Sequence, residues 1–286
     1  MLNSRLEKIK SILVCPQCES GLHFTVGNAS CHTCTRDYPI QGGKIYFLSW
    51  VPSTSDYLDT LKNKLKKRLG VLYYKLGVDL VAPTYPFNFL KQITRYLDPS
   101  QQIIIDIGCG NRRLHEDIIG LDFIDYDAVD IVCDLEALPL KRASIDAFVS
   151  RSVIEHLKDP KKTVENLKKC TRSAGWSLHL VPFLFPFHAS PHDYQRYTKN
   201  GVRTLFDGFR VVEQTNPMGP VTLLLICGIE FFSILLSLGN PTVRAWLYLG
   251  LCAVLFPLKY LDFFFVNRRS FMTLAPSIFT VFQKET

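Results

Sequence analysis

Several things are missing from this chain, and each absence narrows the reading. The first ten residues, Met1 to Lys10, alternate charged and apolar types and hold no apolar run, so no secretory signal is expected there. No internal repeat is visible, which sets aside solenoid and propeller arrays. No G-x-G-x-x-G follows the apolar run at 103–107, which argues against a dinucleotide fingerprint. The nine cysteines are not all scattered singly: four fall in two C-x-x-C units, a pattern of metal binding more than of a disulfide framework. Cys109, Cys133, Cys170, Cys227 and Cys252 sit in apolar runs and read as buried thiols.

What is present suits one full domain with a small appendage. The chain has 286 residues, 47% of them hydrophobic, with the most apolar stretch at 221–266. A net charge of +7 favours anionic partners: nucleic acid, a phospholipid surface or a phosphorylated substrate. The pattern divides the chain into five segments: 1–50, a linker at 51–85, a core at 86–216, an apolar insertion at 217–270 and a last strand in 271–286. Within the linker, Leu58, Leu61, Leu65 and Leu69 share one face of a lysine-rich helical pattern, which suits a membrane surface, an anionic partner or a solvated domain surface.

From about Pro86 short apolar runs alternate with helical patterns. Strands are expected at 102–107, 118–123, 128–133, 145–150, 176–182 and 209–215, with helices at 86–98, 111–118, 159–172 and 198–206. Such alternation predicts a doubly wound α/β domain, its parallel sheet covered on both faces.

The run Ile103–Ile107 ends in Asp106-Ile107-Gly108-Cys109-Gly110. A parallel strand delivers the chain to the carboxyl edge of the sheet, where ligands bind, and two glycines let the backbone turn and approach a nucleoside closely. Asp122 and Asp134 end the next two strands, where carboxylates can reach ribose hydroxyls and an adenine amine. These residues, with Leu138-Pro139 and Ser152–Pro160, resemble the first four motifs of the class I S-adenosylmethionine-dependent methyltransferases. The resemblance implies a Rossmann-like fold over about 86–215 plus the final strand. It implies S-adenosylmethionine as cofactor, held by Asp106, Gly108, Cys109, Gly110, Asp122, Asp134, Leu135 and Ser150. Arg112 departs from it, standing where many relatives carry glycine or alanine; Arg113 is expected to face solvent. Glu155-His156 is expected to support the cofactor's methionine end and not to catalyse.

The loop after the fifth core strand, Pro182–Tyr197, mixes aromatics with His188, His192, Asp193, Tyr194 and Arg196. Methyl transfer to oxygen or nitrogen needs in-line alignment and often a nearby base, so His188, His192 and Asp193 are the candidates for acceptor chemistry. The run is similar to a segment of bacterial methyltransferases associated with polysaccharide or lipid modification.

Cys15-x2-Cys18 and Cys31-x2-Cys34 are separated by twelve residues, a spacing at which four thiolates close a tetrahedral structural Zn²⁺ site. Residues 1–50 resemble the small zinc-ribbon activators of transfer-RNA and protein methyltransferases, here fused in cis. At the other end, more than fifty residues separate Phe209–Thr215 from the last strand-like run, Ile278–Phe282. This insertion must go out and return as an apolar helical hairpin. Glu230, Pro257, Lys259 and Asp262 interrupt it, which favours a hairpin dipping into one leaflet or a hydrophobic cap over two full spans. Arg244, Arg268 and Arg269 are candidates to meet lipid phosphates.

The reading is a cytoplasmic methyltransferase, peripheral or monotopic on the membrane, acting on a lipid-linked, glycan or hydrophobic small-molecule acceptor. One alternative is an RNA methyltransferase, although no Asn-Pro-Pro-Tyr-type base-flipping motif follows the fourth strand. The other is a non-catalytic scaffold that retains the cofactor fold.

Overall fold

The computed structural model describes residues 2–48, 68–70, 72–188 and 192–286. Leu58, Leu61, Leu65 and the lysines of the basic helical pattern lie outside them, as do Ser190 and Pro191 of the histidine-rich loop.

A helix, α1 (Ser4–Ile9), opens the chain and is capped by Asn3, whose side chain accepts from the Leu6 amide. Four short strands follow: β1 (His23–Thr25), β2 (Asn28–Cys31), β3 (Arg36–Gln41) and β4 (Lys44–Tyr46). They form an antiparallel meander, but β4 then pairs in parallel with β7 (Ile131–Val132) through Ile45↔Ile131 and Tyr46↔Val132. The N-terminal unit is therefore a continuation of the main sheet and not a module on a tether.

The remaining strands are β5 (Ile104–Ile107), β6 (Ile119–Asp122), β8 (Ile145–Arg151), β9 (Thr171–Pro182), β10 (Phe209–Thr215) and β11 (Ser277–Lys284). The described strands make one sheet in the order β1-β2-β3-β4-β7-β6-β5-β8-β9-β11-β10. Pairing is parallel from β7 across to β9, and antiparallel where β11 inserts between β9 and β10. The order reverses between β6 and β8, on either side of β5, so the carboxyl end of β5 is the switch point where a crevice opens.

Alternate side chains on each strand enter opposite layers, as a pleat requires. Ile105, Ile107 and Phe148 pack with Val164 and Leu167 of α3 (Pro160–Cys170) and Val202 of α4 (Lys199–Leu205). Ile104, Ala147, Val149 and Leu180 pack with Phe89 and Ile93 of α2 (Phe89–Ile93) on the other face. This is the doubly wound α/β, Rossmann-like architecture of the class I methyltransferases, with helices on both faces.

Two expected helices differ. The one at 86–98 shrinks to α2, because the chain passes into turns from Thr94 onward. The one at 111–118 does not form: that segment runs as turns straight into β6. Arg113 supplies the reason. Its guanidinium donates to the Ile118 carbonyl at 3.0 Å and the Ala128 carbonyl at 2.7 Å, and it pairs with Asp130 at 2.8 Å. The expected solvent-facing arginine is thus a structural clamp. Asp130, 1% exposed, also receives Arg5 at 2.8 Å, the Asn3 amide at 2.7 Å and the Gly120 N–H at 2.9 Å. It fastens the N-terminal unit to the sheet.

The insertion between β10 and β11 is helical, as its hydropathy predicts. It holds α5 (Pro220–Leu236) and α6 (Pro241–Leu255), the latter continued by a tighter turn of helix over Phe256–Phe264. Three of the charges expected to interrupt it are satisfied internally. Asp262, buried, accepts the N–H groups of Gly219, Val221 and Thr222 at 3.1, 2.9 and 2.8 Å, filling the open amides of the α5 N-terminus. Lys259, also buried, donates to the carbonyls of Leu80 (2.6 Å) and Ala82 (2.8 Å). Arg244, expected to meet lipid phosphates, pairs with Glu230. Much of what remains outward is apolar, with Leu224, Phe231, Trp246, Val254 and Phe263 all more than half exposed, while Arg268 and Arg269 are exposed at its end.

Candidate active site

The turn after β5 is built on two glycines in the left-handed region. Gly108 has φ +61° and Gly110 φ +60°. A Cβ on Gly108 would stand 2.5 Å from Val153 Cγ2, so this position is closed from within the protein. A Cβ on Gly110 would meet nothing within 4 Å, so its open side faces the crevice. Asp122, at the end of β6, accepts the Gly110 N–H at 2.9 Å through Oδ2 and the Ile124 N–H at 3.0 Å through Oδ1. It braces the glycine turn from behind.

A cavity of about 800 Å³ opens over this turn. Asp106, Gly108, Cys109, Gly110 and Arg151 form its floor; Arg112, Thr84–Leu90 and Met218 form its walls. Asp106 is 5% exposed, and burial pushes its carboxyl up to about 7 against the pull of the Arg151 guanidinium. Arg112 pairs with Asp79 at 2.8 Å across the rim.

Four of the eight expected cofactor residues, Asp106, Gly108, Cys109 and Gly110, thus line the cavity. Asp122 stands behind the turn. Asp134 is exposed and holds its own turn by accepting the Glu136 N–H at 2.8 Å. Leu135 packs its side chain into the core, and Ser150 is fully buried, its hydroxyl 2.7 Å from His179 Nδ1. Burial pulls His179 down to about 3, so a neutral ring bridges Ser150 and Ser177, and the Ser150 side chain is spent inside the sheet.

Sequence reasoning missed the cavity's outer wall. Tyr85, Phe87 and Asn88 carry no motif, and Met218 sits at the entrance to the insertion. The Tyr85 N–H donates to the Thr222 hydroxyl of α5 at 2.9 Å, and Lys259 holds Leu80 and Ala82 from the same insertion. The wall and the apolar helices form one connected unit.

None of His188, His192 and Asp193 is among the residues that line this cavity. Asp193 is tied to Arg196, with a second bond of 2.6 Å to Nη2, and accepts the His188 N–H at 2.8 Å. That makes it an anchor of the loop. His192 is exposed, and its carbonyl accepts from His156 Nδ1 at 2.5 Å. His188 instead meets Glu155, its Nε2 3.6 Å from Oε1. Burial lowers the basicity of His188, but the Glu155 and Asp193 carboxylates outweigh it and hold its pKa above the usual histidine value. The Glu155–His156 turn braces this loop: the Glu155 carbonyl accepts the Tyr194 N–H at 2.9 Å, and Gln195 donates to the Leu157 carbonyl at 2.9 Å.

The four cysteines of the N-terminal unit converge. Sγ–Sγ distances are 3.4 Å for Cys15–Cys34, 3.4 Å for Cys18–Cys31 and 3.8 Å for Cys18–Cys34. These are far beyond a disulfide bond, and near the roughly 3.8 Å edge of a tetrahedron with ~2.3 Å metal–sulfur bonds. The residue after each C-x-x-C, Glu19 and Thr35, adopts positive φ (57° and 53°), so the two knuckles turn alike. Burial opposes ionisation of Cys15, yet the Tyr38 hydroxyl and the amides of Gln17 and Cys18 lower it to about 6. The donor set fits Zn²⁺.

Residues 105–178 match the family model described as a methyltransferase domain. This segment is a methyltransferase domain. A mouse protein, tRNA (carboxymethyluridine(34)-5-O)-methyltransferase ALKBH8, is 36% identical over 99 residues, covering 30% of this chain; the match spans 14% of that relative's length. Among solved structures, a phosphoethanolamine N-methyltransferase 2 of Haemonchus contortus in complex with S-adenosyl-L-methionine is similar, with a TM-score of 0.48, 17% identity and coverage of 82% of this chain and 61% of that one. The [4+2]-cyclase SpnF is similar with a TM-score of 0.45, 10% identity and coverage of 84% and 100%.

Proposed function

We propose that this protein transfers a methyl group from S-adenosylmethionine to a lipid-linked, glycan or hydrophobic small-molecule acceptor at a membrane surface. The observation that carries the reading is the cavity itself. It runs from the glycine turn of a methyltransferase domain to a wall held by Thr222 and Lys259 of an outwardly apolar insertion. S-adenosylmethionine supplies an electrophilic methyl group when bound. In this reading Asp106 takes its ammonium group, the Gly108–Gly110 turn admits its nucleoside, and Asp122 accepts from its ribose. Phe87, Tyr85 and Met218 enclose the acceptor side and exclude water, while His188 and His192 offer nitrogen groups on the loop above the sheet edge. Cys15, Cys18, Cys31 and Cys34 hold a structural Zn²⁺.

The segment from Pro241 to Phe264 is 24 residues long; its most apolar 18-residue window has a mean hydropathy of 1.5 and is 17% buried. A core helix of this composition would be mostly covered, so the exposed face supports contact with lipid. A second reading, an RNA acceptor, is favoured by the named activity of the mouse relative and by the net charge of +7.

Calorimetric titration with S-adenosylhomocysteine tests the central claim: binding is expected, weakened at least tenfold in Asp122→Ala. Absence of binding by the wild type overturns it. Flotation with phospholipid vesicles and RNA retention across a salt series separate the two acceptors, since RNA binding falls steeply with salt.

A further inference from the structure

The turn after β8 and the loop after β9 bring Glu155, His156 and His188 together, with one ligand atom from each lying within 4.8 Å of the others. Glu155 is fully buried, and among the described residues neither of its carboxylate oxygens accepts a hydrogen bond. A buried carboxylate without donors is costly unless a cation neutralises it.

The two imidazoles are oriented toward it in the same way. His156 Nδ1 bonds the His192 carbonyl at 2.5 Å, and His188 Nδ1 bonds the Pro186 carbonyl at 3.3 Å. In the neutral tautomer that donates from Nδ1 to its carbonyl, each ring presents the Nε2 lone pair. His188 Nδ1 also lies 3.4 Å from Arg196 Nη2 and 3.6 Å from Asp193 Oδ2, and a bound metal ion would take the place of its Nε2 proton. These Nε2 atoms lie 3.8 Å and 3.6 Å from Glu155 Oε1. Carbonyls that fix the far nitrogen of a ligating histidine are the usual outer support of a metal site. The rings stand nearly perpendicular, at 82° with centroids 5.1 Å apart, so two nitrogen lone pairs can converge on one point without stacking.

We propose that Glu155, His156 and His188 form a second metal site, distinct from the cysteine site, which takes a divalent transition ion of the zinc, iron or cobalt class. Two imidazoles and one carboxylate suit such ions better than magnesium or calcium. Three protein ligands leave coordination positions open to water or to an oxygen of an acceptor, as in sites where a metal acts on a ligand. With the metal bound, His188 is a ligand, and His192 is the remaining imidazole of the loop. The site does not rest on the methyltransferase reading, because its residues converge irrespective of what the cavity holds.

Equilibrium titration with Co²⁺ tests it, using the full chain with its cysteine site first filled with zinc. The wild type is expected to take up one further cobalt, showing the visible bands of nitrogen and oxygen coordination without thiolate charge-transfer bands. His188→Ala and Glu155→Gln are expected to weaken that uptake at least 100-fold, and His192→Ala to leave it unchanged. His188 is partly exposed on a loop, so His188→Ala retains the fold, with far-ultraviolet circular dichroism as the check. No cobalt beyond the cysteine site in the wild type, or uptake by His188→Ala equal to the wild type, overturns the proposal. S-adenosylhomocysteine binding measured on the same samples keeps this outcome separate from that of the cofactor claim.

Discussion

The Thr222 hydroxyl accepts the Tyr85 N–H at 2.9 Å, which joins the first helix of the apolar insertion to the wall of the cavity. Thr222 is fully buried, so Thr222→Val leaves the Tyr85 amide without an acceptor at nearly constant shape. A buried unsatisfied amide costs about 1–3 kcal/mol. The expected result is faster amide exchange over residues 82–90 with the rest of the sheet unchanged. Uniform exchange across the chain would show instead that wall and insertion are energetically separate.

The two glycines of the turn separate packing from ligand contact. Gly108→Ala meets Val153 at 2.5 Å and also strains a positive φ, which together cost roughly 2–4 kcal/mol. Gly110→Ala meets open space, so its cost is the backbone strain alone, about 1–2 kcal/mol. Thermal unfolding is expected to fall further for Gly108→Ala. Gly110→Ala is expected to lose cofactor affinity out of proportion to its stability, because its methyl group projects into the crevice. Equal unfolding midpoints for the two variants would contradict this account of the turn.

An ammonium contact at Asp106, as proposed, would make cofactor binding pH-dependent. Burial raises its carboxyl from the ordinary aspartate value of 3.8 to about 7. The folded state therefore holds a proton that the unfolded chain has lost. This group's contribution to stability is complete below 3.8 and disappears as pH rises through about 7. A bound ammonium group favours the ionised carboxylate, so near pH 6 binding is expected to release up to one proton, and near pH 8 almost none. Calorimetry with S-adenosylhomocysteine in two buffers of different ionisation enthalpy measures the release. Heats near pH 6 that do not depend on the buffer would remove the ammonium contact, and Asp106→Asn should abolish the dependence.

The first parallel strands were legible because β5, β6 and β7 are short apolar runs that end at or just before a glycine or an acid, and Asp106, Gly108 and Gly110 fall on the cavity floor as their spacing requires. What escaped were long-range anchors. Asp130 draws Arg5 and Arg113 from positions 125 and 17 residues away, and no local pattern announces that. The same clamp dissolves the helix expected at 111–118, since Arg113 turns back on its own segment. Ser150 looked available at the end of β8, but pleat direction points its hydroxyl at His179. The Glu155–His188 approach joins residues separated by a helix and a strand, so it too needed the fold.

With Zn²⁺ held by the four cysteines, as proposed, its loss is expected to disturb more than the N-terminal unit. β4 forms the neighbour of β7, and Leu6, Ile9, Cys15 and Ile45 belong to the same core layer as Ile105 and Ile131. Cys31→Ser should remove zinc from that site and lower the unfolding temperature of the whole sheet in one transition. A separate early transition, with the cofactor domain unaffected, would show that the unit is only appended. An intact zinc content in Cys31→Ser would overturn the assignment of that ligand.

The outward face of the insertion gives the last prediction. Leu224, Phe231, Trp246 and Phe263 are 72%, 58%, 58% and 70% exposed, while the insertion's acidic and lysine side chains turn inward or pair. Fully burying one such side chain in hydrocarbon is worth about 1.5–3 kcal/mol, and 1.4 kcal/mol is a factor of ten. Replacing all four with serine is therefore expected to weaken vesicle binding by much more than tenfold. Affinity for S-adenosylhomocysteine should hold, because none of the four lines the cavity. If the quadruple variant floats with vesicles as the wild type does, the insertion does not bind lipid through this face. If the wild type stays off vesicles and sediments as a dimer that the variant disrupts, the face belongs to a second copy of the chain.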